Sequence, residues 1–193
     1  EQATLDALEA ACAGGDLAAF IVEPLILGSG GMLVYPPRVL AGMRAICAAY
    51  GVLFIADEVM TGWGRTGTMF ACEQASIRPD FICLLKGLTG GYLPLSVVVT
   101  TEPIYQAFYD DYTKLTAFLH SHSYTGNPLA CAAALGTLAI FESDDVIAKN
   151  RVLAKRMADA AADLADHPRV AEVRQTGMIL AIEFVKDKKT RAP

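Results

Sequence analysis

Two apolar runs of strand length, each closed by an ionisable residue, constrain this chain more than anything else in it. Leu53-Phe54-Ile55-Ala56 ends on Asp57, and Phe81-Ile82-Cys83-Leu84-Leu85 ends on Lys86. In an open parallel sheet the ligand crevice lies just outside the carboxyl ends of the strands. Asp57 and Lys86 placed there face one ligand. The ordinary alternatives are a solvated lysine and an aspartate that caps a helix.

One cofactor chemistry asks for this pair. In pyridoxal 5'-phosphate enzymes a lysine amine holds the aldehyde covalently, while a carboxylate pairs with the ring nitrogen and keeps it protonated. Burial of Asp57 beside that cation is expected to favour its ionised form, and a low-dielectric setting is expected to make Lys86 nucleophilic.

The rest of the chain reads as an α/β frame around these strands. Leucines and alanines at helical spacing run over 4–12 and stop at Gly14-Gly15; a strand over 18–22 ends at Glu23-Pro24. Pro37 opens a helix to Tyr50, with Val39, Leu40, Met43, Ile46 and Cys47 on one face. A short helix over 70–75, a strand over 80–84 and a strand over 95–99 follow, the last apolar as in a sheet covered on both faces. A short helix over 102–109 precedes an irregular polar segment, 110–123. Asn127 then caps a helix with Pro128 at its first position, running to about Phe141 and expected to be buried. A long amphipathic helix to about Asp166 and alternating strands over 170–173 and 178–185 complete the chain. The change of periodicity places a domain boundary near Ser143: a large domain over 1–143 and the start of a small α+β domain over 144–193.

Composition narrows the function classes. Hydrophobic residues make up 53% of the 193 and charged residues 19%, below the quarter or so of an average domain. Such an excess of core over surface suits a slice of a larger protein. The net charge of −5 and the absence of a basic run give no footing for nucleic acid or an anionic membrane. The longest apolar segment, 129–141, falls short of the roughly twenty residues of a membrane span. The five cysteines are scattered without a paired motif, the usage of a reduced, cytoplasmic protein.

Longer words in the sequence point to a family. Ala56-Asp57-Glu58-Val59, Thr61-Gly62-Trp63-Gly64-Arg65-Thr66-Gly67, Pro79-Asp80, Lys86-Gly87 and Gly126-Asn127-Pro128-Leu129 resemble, in order and spacing, the class III aminotransferases. The resemblance implies the three-layer, mostly parallel fold of type I pyridoxal-phosphate enzymes. It also implies Lys86 as catalytic and cofactor-holding lysine, Asp57 on the ring nitrogen and Val59 on the ring face, although Val59 also reads as ordinary core. Ser123 stands where the family has a phosphate-binding threonine reaching in from the neighbouring subunit, so a homodimer with shared sites is implied, with His122 and Ser121 along the same wall. Ser121 and Arg65 are the expected substrate contacts, with a structural clamp within its own turn as the other reading of Arg65. His120 and His122 offer no third metal ligand.

Within the family the words over 86–92, 107–112 and 120–125 are most similar to the branch that aminates 8-amino-7-oxononanoate in biotin synthesis, with adenosylmethionine or lysine as donor. A branch acting on an ω-amino acid, ornithine or a diamine is the alternative. The resemblance also implies that an upstream phosphate site, a ring-stacking aromatic and a downstream arginine lie outside this chain. Glu23 either touches the cofactor edge or only ends a strand, and Leu27 replaces a glutamine usual in the family. Gly28-Ser29-Gly30-Gly31 reads as a tight turn and not a phosphate loop, because no helix directly follows it. A non-catalytic module and a nucleotide-binding domain on that loop are the competing classes.

Overall fold

The computed structural model, which describes residues 1–192, begins with helix α1 (Gln2–Ala13) and strand β1 (Ala19–Val22). A two-stranded ribbon, β2 (Ile26–Leu27) and β3 (Leu33–Val34), leads into α2 (Pro37–Ala49), where Pro37 takes the first helical position, needing no amide donor there. Strand β4 (Leu53–Asp57), a 3-10 turn (Ala71–Ala75), β5 (Phe81–Leu84) and a second 3-10 turn (Lys86–Thr89) come next. Then follow β6 (Val97–Thr100), α3 (Glu102–Gln106), α4 (Pro128–Ser143), α5 (Val146–Ala161), β7 (Val170–Thr176) and β8 (Ile179–Phe184).

The main sheet has the order β1-β4-β5-β6. Its first three strands are parallel, with Val22 beside Ala56 and Asp57 beside Cys83, whereas β6 runs antiparallel to β5. Expected coverage of both faces at the 95–99 strand is not met. β6 is shifted to 97–100 and is an edge strand, with Val98 64% and Val99 51% exposed.

The core sits between α1, α2 and the sheet. Leu40, Cys47, Phe54 and Ala56 are wholly buried there, and truncating a fully buried leucine such as Leu40 to alanine costs about 2–5 kcal/mol. At the start of β5, Asp80 accepts from the Phe54 amide at 2.7 Å and from Arg44 of α2 at 3.3 Å, joining helix to sheet.

Helix α4 corrects an expectation. Asn127 caps it as read, accepting from the Leu129 amide at 2.9 Å. Its apolar surface is only half covered: Ala130 and Ala134 are buried, while Leu129 is 70%, Leu135 67% and Ile140 56% exposed. A helix apolar all round normally lies inside a larger body, and among the described residues only one face finds cover.

The last helix and the antiparallel β7-β8 pair form a small α+β unit. Its hairpin tip grips the glycine-rich turn after β4, the Met178 amide donating to the Arg65 carbonyl at 2.7 Å. Gly177 at that tip has φ 57°, and a Cβ there would overlap Arg65 and Thr66 backbone. Arg151 of α5 adds a bond to the Gly67 carbonyl at 2.8 Å.

Candidate active site

Asp57 closes β4, and Lys86 opens the 3-10 turn that follows Leu85, just past the carboxyl end of the neighbouring parallel strand β5. Asp57 is half-buried, and its Oδ1 accepts from the Val59 amide at 3.1 Å. Among the described residues no donor reaches its Oδ2. Lys86 is exposed, so the low-dielectric setting expected for it is not made by this chain alone. Any desolvation of the amine has to come from what covers the strand ends. Lys86 also stands at φ 38°, a left-handed conformation that costs a residue with a Cβ about 1–2 kcal/mol and persists only where the surroundings over-determine it.

Val59 is not on the strand: β4 stops at Asp57, and Val59 is half-buried in the following turn. Its carbonyl accepts from Arg65 Nη2 at 2.9 Å, and the Met60 carbonyl accepts from Arg65 Nε at 2.5 Å. Arg65 is thus a clamp within its own turn, one of its two readings. Burial pushes its pKa down, opposed by the Glu58 carboxylate.

Glu58 is the residue sequence reasoning passed over. It is fully buried, and its carboxylate accepts from the amides of Ala71 at 3.0 Å and Cys72 at 2.8 Å, and from the Thr61 hydroxyl. Its two amide partners lie far along the chain, so no spacing announces it. A polar residue directly after an apolar strand that must enter a buried turn is the available signal. Glu58→Ala orphans two buried amides at about 1–3 kcal/mol each. The unfolding midpoint of the full-length protein is expected to fall by several degrees, and an unchanged midpoint would refute this anchoring role.

Glu23 is similarly occupied. Its carboxylate accepts from the Gly28 amide at 3.0 Å, the Ser29 amide at 3.3 Å and the Ser29 hydroxyl at 2.9 Å. The amides that would cradle a phosphate hold a carboxylate instead, as a tight turn requires.

Ser121, His122 and Ser123 lie on a segment exposed throughout 105–126, and among the described residues none of them hydrogen-bonds to Asp57 or Lys86. The segment folds on itself only locally: the His122 amide donates to Thr125 Oγ1 at 3.0 Å, and His122 Nδ1 accepts from the Tyr124 amide at 3.1 Å. Its aromatic and aliphatic side chains face outward, with Tyr112 and Leu119 each 86% and Phe118 71% exposed.

All five cysteines are free thiols, and burial pushes Cys47 up to about 11 and Cys83 upward, away from the reactive thiolate. No group of three or more His, Cys, Asp or Glu among the described residues could hold a metal ion. No described helix is long and apolar enough to cross a membrane.

A carboxylate with a free oxygen at the end of β4 and a solvent-facing amine just past the end of β5 are the groups that fit a pyridine nitrogen and an aldehyde. Comparison with known proteins places the chain among the aminotransferases. The chain is 48% identical over 93% of its length to an adenosylmethionine-8-amino-7-oxononanoate aminotransferase of Nitratidesulfovibrio vulgaris, and covers 33% of that protein. It is 47% identical over 92% of its length to the Anoxybacillus flavithermus protein of the same name, covering 39% of it. Among solved structures, the enzyme of that name from Methanocaldococcus jannaschii superposes with a TM-score of 0.86 at 44% identity, over 90% of this chain and 40% of that one. A Bacillus anthracis aminotransferase superposes at 0.90 with 34% identity, over 98% of this chain and 42% of that one. The chain therefore spans well under half the length of these relatives and has the mostly parallel fold of the transaminases. The profile of the class-III aminotransferase family matches residues 1–192, and the chain belongs to that family.

Proposed function

We propose that the full-length protein is a pyridoxal-phosphate-dependent aminotransferase that moves an amino group onto 8-amino-7-oxononanoate to give 7,8-diaminononanoate in biotin synthesis. The observation that carries this reading is Asp57 at the carboxyl end of β4 and Lys86 just past the carboxyl end of its parallel neighbour β5, in a chain 48% identical to a protein named for that substrate. When bound, pyridoxal phosphate supplies an aldehyde that accepts the amino group and a ring that spreads the negative charge developing at the substrate carbon. Lys86 Nζ would hold the aldehyde and carry the proton between substrate positions. The Asp57 carboxylate would keep a proton on the ring nitrogen, while its Oδ1 stays tied to the Val59 amide. Val59 would pack beside the ring.

The second half of each site comes from a partner copy. The uncovered aromatic segment 105–126 supports this, because a chain leaves so much apolar surface open only where another surface covers it. Ser123, with His122 and Ser121 beside it, would reach the partner's phosphate, making a two-fold dimer necessary for activity. Residues 1–143 form part of the large domain and 144–193 the start of the small one, in a cytoplasmic enzyme.

Substrate choice is tested by incubating the purified full-length protein with 8-amino-7-oxononanoate and either adenosylmethionine or lysine. Formation of 7,8-diaminononanoate is expected. Turnover of ornithine, an ω-amino acid or a diamine with none of the oxononanoate would assign the chain to another branch. Site sharing is tested by mixing full-length Lys86→Ala and Ser123→Glu chains, each expected to be inactive alone. In the mixed dimer one site carries both changes and the other neither, so activity is expected to return. Proven subunit exchange without recovery would place Ser123 outside its partner's site.

A further inference from the structure

We propose that Trp63 is the positioning residue that holds Lys86 in its left-handed backbone conformation, and so sets the direction in which the amine leaves the end of β5. The proposal rests on the reading of Lys86 as the lysine that holds the cofactor.

Lys86 lies between two anchored positions. Two residues before it, Leu84 is buried at the end of β5. On the other, Gly87 lies against the indole so closely that a Cβ there would meet Trp63 Cβ at 2.6 Å and Cγ at 2.8 Å. Gly87 is therefore glycine because of the tryptophan and not because of its own φ. Leu88 and Ala134 of α4 are buried in the same cluster, and the Leu88 amide closes the turn onto the Leu85 carbonyl at 2.9 Å. With both sides fixed, the two residues between them, Leu85 and Lys86, absorb the mismatch, and the strain falls on Lys86 at φ 38°.

Trp63 is itself held rigidly. It is the chain's single tryptophan and 7% exposed, with Phe70 and Phe141 ring centroids at 5.7 Å and 6.0 Å. The turn that carries it is closed by the Gly62 amide on the Glu58 carbonyl at 3.0 Å and the Gly64 amide on the Met69 carbonyl at 3.2 Å. The buried Glu58 carboxylate fixes the rest of that loop. Among the described residues the indole Nε1 has no hydrogen-bond partner, so the ring acts through its shape. A continuous set of contacts thus runs from Glu58 through Trp63 and Gly87 to Lys86, the direction of support that a precisely held reacting group needs.

The test compares full-length Trp63→Leu, Trp63→Phe and Gly87→Ala with the parent by two readouts. The first is amide hydrogen exchange of the cofactor-free protein, comparing the peptide over 86–90 with the peptide over β1. The second is the rate at which added pyridoxal phosphate becomes fixed to Lys86 by borohydride. Trp63→Leu is expected to speed exchange over 86–90 about tenfold with β1 unchanged, and to slow attachment about tenfold. Trp63→Phe, which keeps a ring against Gly87, is expected to restore most of both. Gly87→Ala disturbs the same contact from the other side and is expected to reproduce the loss even if Trp63→Leu fails to fold. The proposal is overturned if the variants leave both readouts as in the parent, or if exchange rises equally over β1 and 86–90, the mark of a merely structural tryptophan. Should the parent fix no pyridoxal phosphate on Lys86, the functional reading fails, and the exchange comparison alone decides whether Trp63 holds the turn.

Discussion

Replacing Lys86 by alanine in the full-length protein is expected to abolish amino transfer while leaving the protein folded. The amine is asked to do two things, to hold the aldehyde and to carry a proton. Loss of a positioned proton carrier alone costs up to about 10⁴-fold in rate. Stability should hardly change, because the side chain is exposed and substitutions of this kind stay within about 0.5 kcal/mol. Alanine keeps the Cβ and hence the left-handed strain, so the local backbone is not released. Lys86→Gly should be dead as well but slightly more stable, since glycine accepts φ 38° without penalty. Steady-state assays beside thermal unfolding of parent and both variants read this directly. Retained turnover in purified Lys86→Ala protein would remove Lys86 from the chemistry.

The second large effect is expected at Asp57. The Asp57→Asn substitution keeps the shape of the side chain, and the new amide oxygen can still accept from the Val59 amide, the bond that Oδ1 now receives at 3.1 Å. The negative charge facing the ring nitrogen disappears. Without it the ring is no longer held protonated and charge at the reacting carbon is poorly stabilised, so kcat should fall by about 10²-fold or more. Binding of the amino donor and acceptor depends on other groups and should change far less. Single-turnover rates of Asp57→Asn, measured with saturating donor, check this. A rate equal to the parent's would show that Asp57 is not the ring's partner.

What could be read in advance was whatever is local. The apolar runs before Asp57 and Lys86 gave β4 and β5, and the Asn127-Pro128 start gave α4, because strand burial and helix capping are written in a few consecutive residues. The direction of β6 was also legible in principle. The connection over 85–96 holds only a 3-10 turn, too little for the crossover helix a parallel strand needs. The β2-β3 ribbon was not, since two-residue strands carry no periodicity. Glu58 escaped because its value lies in amides of Ala71 and Cys72 that only the folded turn brings to it. Burial of α4 and solvent exclusion at Lys86 were expected from composition and chemistry, and neither is supplied by the described residues. Leu135 and Lys86 both remain open, because cover is a property of tertiary and quaternary packing that a stretch of consecutive residues does not encode.

One bond, between Lys86 and the cofactor, decides the assignment, and one experiment reads it. Full-length protein incubated with pyridoxal phosphate should absorb near the visible edge, and borohydride should bleach that band by fixing the cofactor to the protein. Digestion and mass mapping then identify the modified peptide. The expected result is a single pyridoxyl group on the peptide containing Leu85-Lys86-Gly87, absent from Lys86→Ala protein. A pyridoxyl group on any other lysine, or no fixed cofactor at all, would contradict the assignment.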